Sequence, residues 1–362
     1  MINPRQLFFI IALTRISALL VLLPVVTAGN ALQDAWISVI VATVVAILFV
    51  WLGAYLAMKH PGKSLGQFSR DLLGKTGGAI TTGLLAISFY VLCLIRTRLV
   101  SLVIISHFMP KTPGWALAIP VLLTAFYGAM MGPDTVGRAS EFLFTVMALI
   151  IVVSMVMSYV WSAERVAGLK PVLSRGLRPV FGAAVPAAFL GLMSGLKVLA
   201  LGRFTVEEHK MPKATALALL VSGLVLLVVT IDVLTTLGPA QAQAYVMPVL
   251  ALASSVFIEG ILERLDLVLM TAWVLGITFD VTVLLASSSI LIGDSLGIGH
   301  RKVAAALFLL GVVPVSHRFT DIFVMRQLHS IPVTGIWSAA ICVGTLAPVF
   351  IAYLIKKRRG GS

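Results

Sequence analysis

The stretch Leu7-Phe8-Phe9-Ile10-Ile11-Ala12-Leu13-Thr14-Arg15-Ile16-Ser17-Ala18-Leu19-Leu20-Val21-Leu22-Leu23-Pro24 decides how the chain is read. It is long and apolar enough to enter a bilayer, yet it carries a cation near its middle. A charge at membrane depth costs about 2.5–3.5 kcal/mol on insertion scales, so it is kept where it meets a partner, a water-filled cavity or a ligand. The rest of the chain is therefore read as the scaffold that makes Arg15 tolerable.

Composition supports a membrane solvent. Of 362 residues 59% are hydrophobic and 11% charged, with mean hydropathy +1.06, where soluble chains carry about 25% charged residues. The net charge of +13 then reflects loops that set topology, and nucleic acid is not implied. Cys93 and Cys342 both sit in apolar segments and read as small buried hydrophobes. A cleaved signal peptide is the rival reading of residues 1–28, but the apolar run is of spanning length and its removal would spoil the topology that follows.

At about 20 apolar residues per crossing, ten spans fall near 7–27, 35–58, 79–106, 114–131, 140–161, 185–203, 214–237, 264–292, 303–316 with a short continuation, and 333–355. The expected fold is thus an all-α polytopic membrane protein of about ten transmembrane helices. With the N-terminus inside, fifteen Lys and Arg fall on the cytoplasmic face and seven in outer loops, a bias that predicts both termini in the cytoplasm. Between spans two and three, Leu65, Phe68, Leu72 and Leu73 make an apolar stripe at helical spacing, predicting a short helix on the inner leaflet. Residues 162–184 are too polar and broken to span. Tyr245 to Ile258, flanked by Pro239 and Pro248, reads as a helix or hairpin at the outer face, or as a re-entrant helix.

Ten spans divide into five and five: residues 1–161, an outer loop at 162–184, residues 185–356, and a basic tail at 357–362. Span six opens the second half as span one opens the first, and it too is interrupted, at Gly191-Leu192-Met193-Ser194-Gly195-Leu196-Lys197. Discontinuous helices at corresponding places in two halves point to a transporter-type binding site. Small residues in membrane helices also serve close packing, but Arg15 and Lys197 at matching positions ask for more than packing.

Several motifs now line up: Pro4-Arg5-Gln6, Leu22-Leu23-Pro24, Gln33-Asp34-Ala35-Trp36-Ile37-Ser38, Pro110-Lys111-Thr112-Pro113, Gly137-Arg138-Ala139-Ser140-Glu141, Leu169-Lys170-Pro171-Val172-Leu173, and Glu263-Arg264-Leu265-Asp266 with Trp273. Together, over nearly the whole chain, they resemble the spore germination permease family, the GerAB-type B subunits of germinant receptors. That family is similar to the amino acid–polyamine–organocation transporters. The resemblance implies a LeuT-like five-plus-five inverted repeat with helices one and six broken, and a small nutrient ligand, often an amino acid. It also implies assembly with an A-type subunit and a lipoprotein C-type subunit in the spore inner membrane, and neither cofactor nor metal. By position the implied pocket is Thr14, Arg15, Ile16 and Ser17, Ser88 and Leu92, Gly191, Ser194, Gly195 and Lys197, and Asp280 with Leu284. This chain departs from the family where Arg15 replaces a small residue and where Gly195-Leu196-Lys197 replaces a Gly-Glu pair.

The remaining charges leave alternatives. Asp280 reads as a ligand or proton site in span eight, or as the counter-charge of Arg15 or Lys197. Arg96 and Arg98 lie two residues apart on one helix, so one side chain faces the cavity while the other snorkels outward. Asp232 reads as structural or interfacial. Glu263, Arg264 and Asp266 read as an ion-pair cluster fixing the outer end of helix eight, or as ligand contacts. No His-Glu-x-x-His motif or phosphate loop occurs, so neither an enzyme nor an ATP-driven pump is implied. Three functions remain: a nutrient-germinant-binding subunit, a proton- or sodium-coupled transporter of an amino acid or amine, and an assembly platform whose buried charges are all paired.

Overall fold

A computed structural model describes residues 1–161, 169–245, 247–255, 265–316 and 331–359. It is helical, with no β-strand among the described residues beyond one isolated bridge between Ile2 and Thr205. The helices are α1 (Pro4–Leu19), α2 (Leu22–Ala31), α3 (Ala35–Met58), α4 (Leu65–His107), α5 (Gly114–Met131), α6 (Pro133–Trp161) and α7 (Leu177–Gly195). They continue as α8 (Val198–Leu201), α9 (Met211–Thr236), α10 (Gly238–Ala244), α11 (Pro248–Ser255), α12 (Leu265–Leu296), α13 (His300–Ser316) and α14 (Ile331–Arg359). Among the described residues, eight helical stretches are long and apolar enough to cross a membrane. With α1 leading into α2, and the 17-residue α13, they account for the ten expected crossings. The short helices α10 and α11 fall where a helix or hairpin is expected after span seven.

Local chemistry explains the ends and the interruptions. Asn3 and Gln6 form a reciprocal capping box, with Gln6 N–H donating to Asn3 Oδ1 at 2.7 Å and Asn3 N–H to Gln6 Oε1 at 3.1 Å, and Pro4 opens the first turn. Span one is interrupted at Leu20-Val21, not at Arg15. The cause is Pro24, which has no N–H for the carbonyl four residues back and whose ring crowds that carbonyl. The helix then runs on to Ala31, past the expected end at 27. Span six is interrupted at Leu196-Lys197, where the backbone tightens into a turn without unwinding. Its helix begins at Leu177, earlier than expected, because Pro179 sits in the first turn, where proline is tolerated.

The stripe of Leu65, Phe68, Leu72 and Leu73 does form a helix, set off from the rest of α4 by Gly74 at φ 77°. Its apolar stripe is covered by the bundle itself, with Leu72 and Leu73 packed against the main core. Leu65 and Phe68 are wholly buried and belong to the main core. Ser64 Oγ donates to Asp294, at the far end of α12, and the two groups pin this segment to the bundle. Periodicity marks which face is apolar but does not say what covers it.

Close helix packing organises two groups. α3, α7, α9 and α1 pack on one another, while α4, α12, α5 and α13 form a second set. Glycines allow the nearest approaches. A Cβ on Gly195 would lie 2.3 Å from Val50 Cγ2, one on Gly223 2.4 Å from Thr43 Cγ2, and one on Gly276 2.3 Å from Ser17 Oγ. Small residues at helix contacts are the usual means of association where lipid removes the hydrophobic drive between helices. Exposed Leu48, Ile80, Phe142, Leu149, Leu309 and Ile351 form part of the apolar outer surface.

Candidate ligand site at the junction of the two interrupted helices

Both interruptions converge on one buried charge cluster. Lys197, at the turn between α7 and α8, donates from its ammonium to Asp280 Oδ1 in the middle of α12. Arg96, from α4, holds its Nε 3.8 Å from Asp280 Oδ2 and donates through Nη1 to the Ala18 carbonyl at 2.7 Å. Trp273, two turns before Asp280 on α12, donates its indole N–H to the Ser17 carbonyl at 2.9 Å. Ser17 and Ala18 lie in the last turn of α1, where a helix end leaves carbonyls without intrahelical partners. The end of α1 is thus capped by side chains from α4 and α12. Asp280, Lys197 and Arg96 are 1%, 1% and 6% exposed.

Several expected residues lie on the same helices as this cluster. Ser88, Leu92 and Arg96 share one face of α4 at i, i+4 and i+8; Ser88 is buried and donates to the Leu84 carbonyl of its own helix. Leu284 is buried one turn beyond Asp280 on α12. Ser17 Oγ donates to the Leu13 carbonyl. Arg98 does not snorkel: it is 3% exposed and donates to the Val315 carbonyl on α13.

Arg15 stands apart. Its Nη1 donates to the Leu219 carbonyl and to Ser222 Oγ at 3.3 Å on α9, and Nη2 donates to Thr43 Oγ1 at 3.1 Å on α3. Its Nε is buried without a hydrogen-bond partner, 3.2 Å from where a Cβ on Gly191 would sit. Asp280 is therefore the counter-charge of Lys197 and Arg96 and not of Arg15, which no described carboxylate pairs. Residue 15 sits on the face of α1 turned to α3, α7 and α9, and Asp280 approaches from the other side. Thr14 donates to the Ile11 carbonyl, and Ile16 is core. Gly191 makes room for Arg15, Gly195 for Val50, and Ser194 is buried at the end of α7.

Because Arg15 has only neutral partners, removing its charge relieves a desolvation cost while giving up three hydrogen bonds. Arg15→Met is expected to leave stability within about 1 kcal/mol of the parent or to raise it, read as the unfolding midpoint in detergent. A loss above about 3 kcal/mol would show that the guanidinium holds α1, α3 and α9 together.

Other expected positions fall elsewhere. Glu263 and Arg264 lie outside the described residues; Asp266 is in the first turn of α12. Asp232 accepts from Ser158 of α6 at 3.1 Å. At the end of the bundle that carries Ile2, Arg203 pairs with Asp294, whose second oxygen accepts from Ser64. Ile2 is there hydrogen-bonded to Phe204 and Val206, at 2.7 and 2.9 Å. Spacing does not announce that lock, since its members lie far apart in the chain. A cavity of about 10 Å³, lined in part by Val136, Leu201, Val283, Ser289 and His300, lies among α5, α6, α8, α12 and α13. It could admit one water, and its lining includes neither Asp280 nor Lys197.

Ten membrane helices, with the first and sixth interrupted against one another, define the LeuT-like fold of secondary transporters. The solved structure of MhsT in complex with L-phenylalanine matches with TM-score 0.67 at 12% identity, over 96% of this chain and 98% of its own. Mhp1, a nucleobase-cation-symport-1 family transporter in a closed conformation with bromovinylhydantoin bound, matches with TM-score 0.68 at 12% identity, over 99% and 80%. The sequence goes further: residues 1–324 match the spore germination protein family, Spore_permease, and the chain belongs to it. Among its relatives, spore germination protein YndE of Bacillus subtilis (strain 168) is 26% identical over 93% of this chain and 91% of its own. Spore germination protein A2 of the same strain is 26% identical over 76% and 75%, and GerLB of Bacillus cereus 23% identical over 100% and 96%. The chain is an integral membrane protein of the Spore_permease family with a transporter fold.

Proposed function

We propose that this chain is the nutrient-germinant-binding subunit of a spore germination receptor. It takes a small amino acid or a related anionic or zwitterionic nutrient where the two interrupted helices meet. The observation that carries this reading is the buried excess of positive charge at that point, where, among the described residues, Lys197 and Arg96 face Asp280 as the one acid. Uncompensated buried charge is costly, and a ligand carboxylate would relieve it, assisted by the positive end of α2. Both interrupted helices, α4 and α12 touch the cluster, so a ligand there favours whichever arrangement of the two helix groups binds it better. That bias would pass to an A-type subunit and a lipoprotein C-type subunit in the spore inner membrane. In this reading residues 1–161 and 185–356 are the two repeats and both termini are cytoplasmic.

The test is a screen of nutrients by thermal shift on the purified protein. A stabilising nutrient should lose its effect in Lys197→Gln and Arg96→Gln; a nutrient shift unchanged in both variants would place the ligand elsewhere. The same fold serves a coupled transporter, and uptake of labelled nutrient into liposomes would favour that alternative. One feature argues against sodium coupling. Carbonyls at half-helix ends are where coupling cations bind, and here those of Ser17 and Ala18 are taken by Trp273 and Arg96. Replacing sodium by choline is therefore expected to change nutrient affinity by less than about 2-fold; a loss of about 10-fold or more, about 1.4 kcal/mol, would support sodium coupling.

A further inference from the structure

We infer that the junction selects an anionic ligand without an ammonium group, such as a 2-hydroxy or 2-oxo carboxylate, over the corresponding amino acid. The inference rests on the proposed ligand site and names its chemical class.

A zwitterion needs donors for its carboxylate and a charged or strongly polar acceptor for its ammonium. The donors are in surplus. Lys197 has three N–H groups and Arg96 five, and their recorded partners are Asp280 and the Ala18 carbonyl. The charged acceptor is engaged. The buried acids among the described residues are Asp34, Asp232 and Asp280. Asp34 accepts from the Leu173 N–H in the outer loop and Asp232 from Ser158, which leaves Asp280 as the acid at the junction. Its Oδ1 is held by Lys197, and its Oδ2 faces Arg96. Two carbonyls in the last turn of α1, those of Ser17 and Ala18, are occupied by Trp273 and Arg96. Lys197 already stands where a ligand ammonium would have to stand.

Charge balance points the same way. Among the described residues, Lys197 and Arg96 against Asp280 leave a formal +1 at the junction. An amine-free carboxylate brings it to zero. An amino acid carries no net charge, leaves the +1 in place, and sets its ammonium beside two cations. Like charges placed together in a desolvated site cost several kcal/mol, so the expected preference for the amine-free acid is at least about 100-fold.

The test uses the full chain in nanodiscs and ligand sets that differ only at carbon 2. These are L-lactate and pyruvate against L-alanine, 4-methyl-2-oxopentanoate against L-leucine, and phenylpyruvate against L-phenylalanine, read by calorimetry at pH 7. Tighter binding of the amine-free member in any set that binds supports the inference. Equal or tighter binding of the amino acid overturns it while leaving the ligand site standing. If no member of any set binds and nutrients of other classes also fail, the proposed ligand site itself falls, and the inference with it. Lys197→Met gives a second reading, because it vacates Oδ1 of Asp280 for a ligand ammonium. The preference should then move toward the amino acid by about 10-fold or more, and an unchanged preference in the folded variant counts against the inference.

Discussion

Asp280→Asn is expected to destabilise the protein by about 3–5 kcal/mol, the range for breaking a buried charge pair by removing one partner. Asp280 is the acid that answers both Lys197 and Arg96, and all three side chains are buried where α1, α4, α7 and α12 meet. Without the carboxylate, two cations face each other in a medium that cannot hydrate them. The asparagine is nearly the same size, so the loss measures charge and not packing. The measurement is the unfolding midpoint in detergent, taken with the companion variant Asp280→Asn/Lys197→Met. Removing a pair together is often neutral, so the double variant should recover most of the loss. A double variant as damaged as the single one would mean that the ion pair is not the source.

Gly195→Ala is expected to cost about 1–3 kcal/mol by overpacking and to weaken nutrient binding as well. Its Cβ would lie 2.3 Å from Val50 Cγ2, 2.7 Å from Cγ1 and 3.0 Å from Cβ. Val50 is wholly buried on α3 and β-branched, with little rotamer freedom to yield. α7 must therefore lift away from α3 two residues before Lys197, carrying the ammonium with it. Val50→Ala in the same background removes the two nearest atoms and should restore part of both properties. If Gly195→Ala matches the parent in midpoint and nutrient response, the close approach of α7 to α3 does not set the position of Lys197.

The two variants separate what a reader of the chain can see from what folding adds. Gly195 and Lys197 are visible as an interruption in an apolar run, but only the contact with Val50 shows that one is a packing residue and the other a charge at a junction. Pro24 is the clearest local signal. A proline disables the carbonyl four residues earlier, which puts the interruption at Leu20-Val21, five residues beyond Arg15.

The amino-acid sequence by itself determined the membrane class, the number of crossings, the paired interruptions and most of the buried charges, Asp34 excepted. These depend on the length of apolar runs and on the backbone chemistry of proline and glycine, which act within a few residues. The partners of the charges depended on the tertiary structure. Successive residues of a helix turn by about 100°, so Arg96 and Arg98 address different neighbours, and which neighbours these are is set by the rotation and packing of other helices. Arg15 shows the same dependence. Its charge at membrane depth was plain from the sequence, but only the assembled bundle turned it to Thr43, Leu219 and Ser222 and left Asp280 to Lys197 and Arg96.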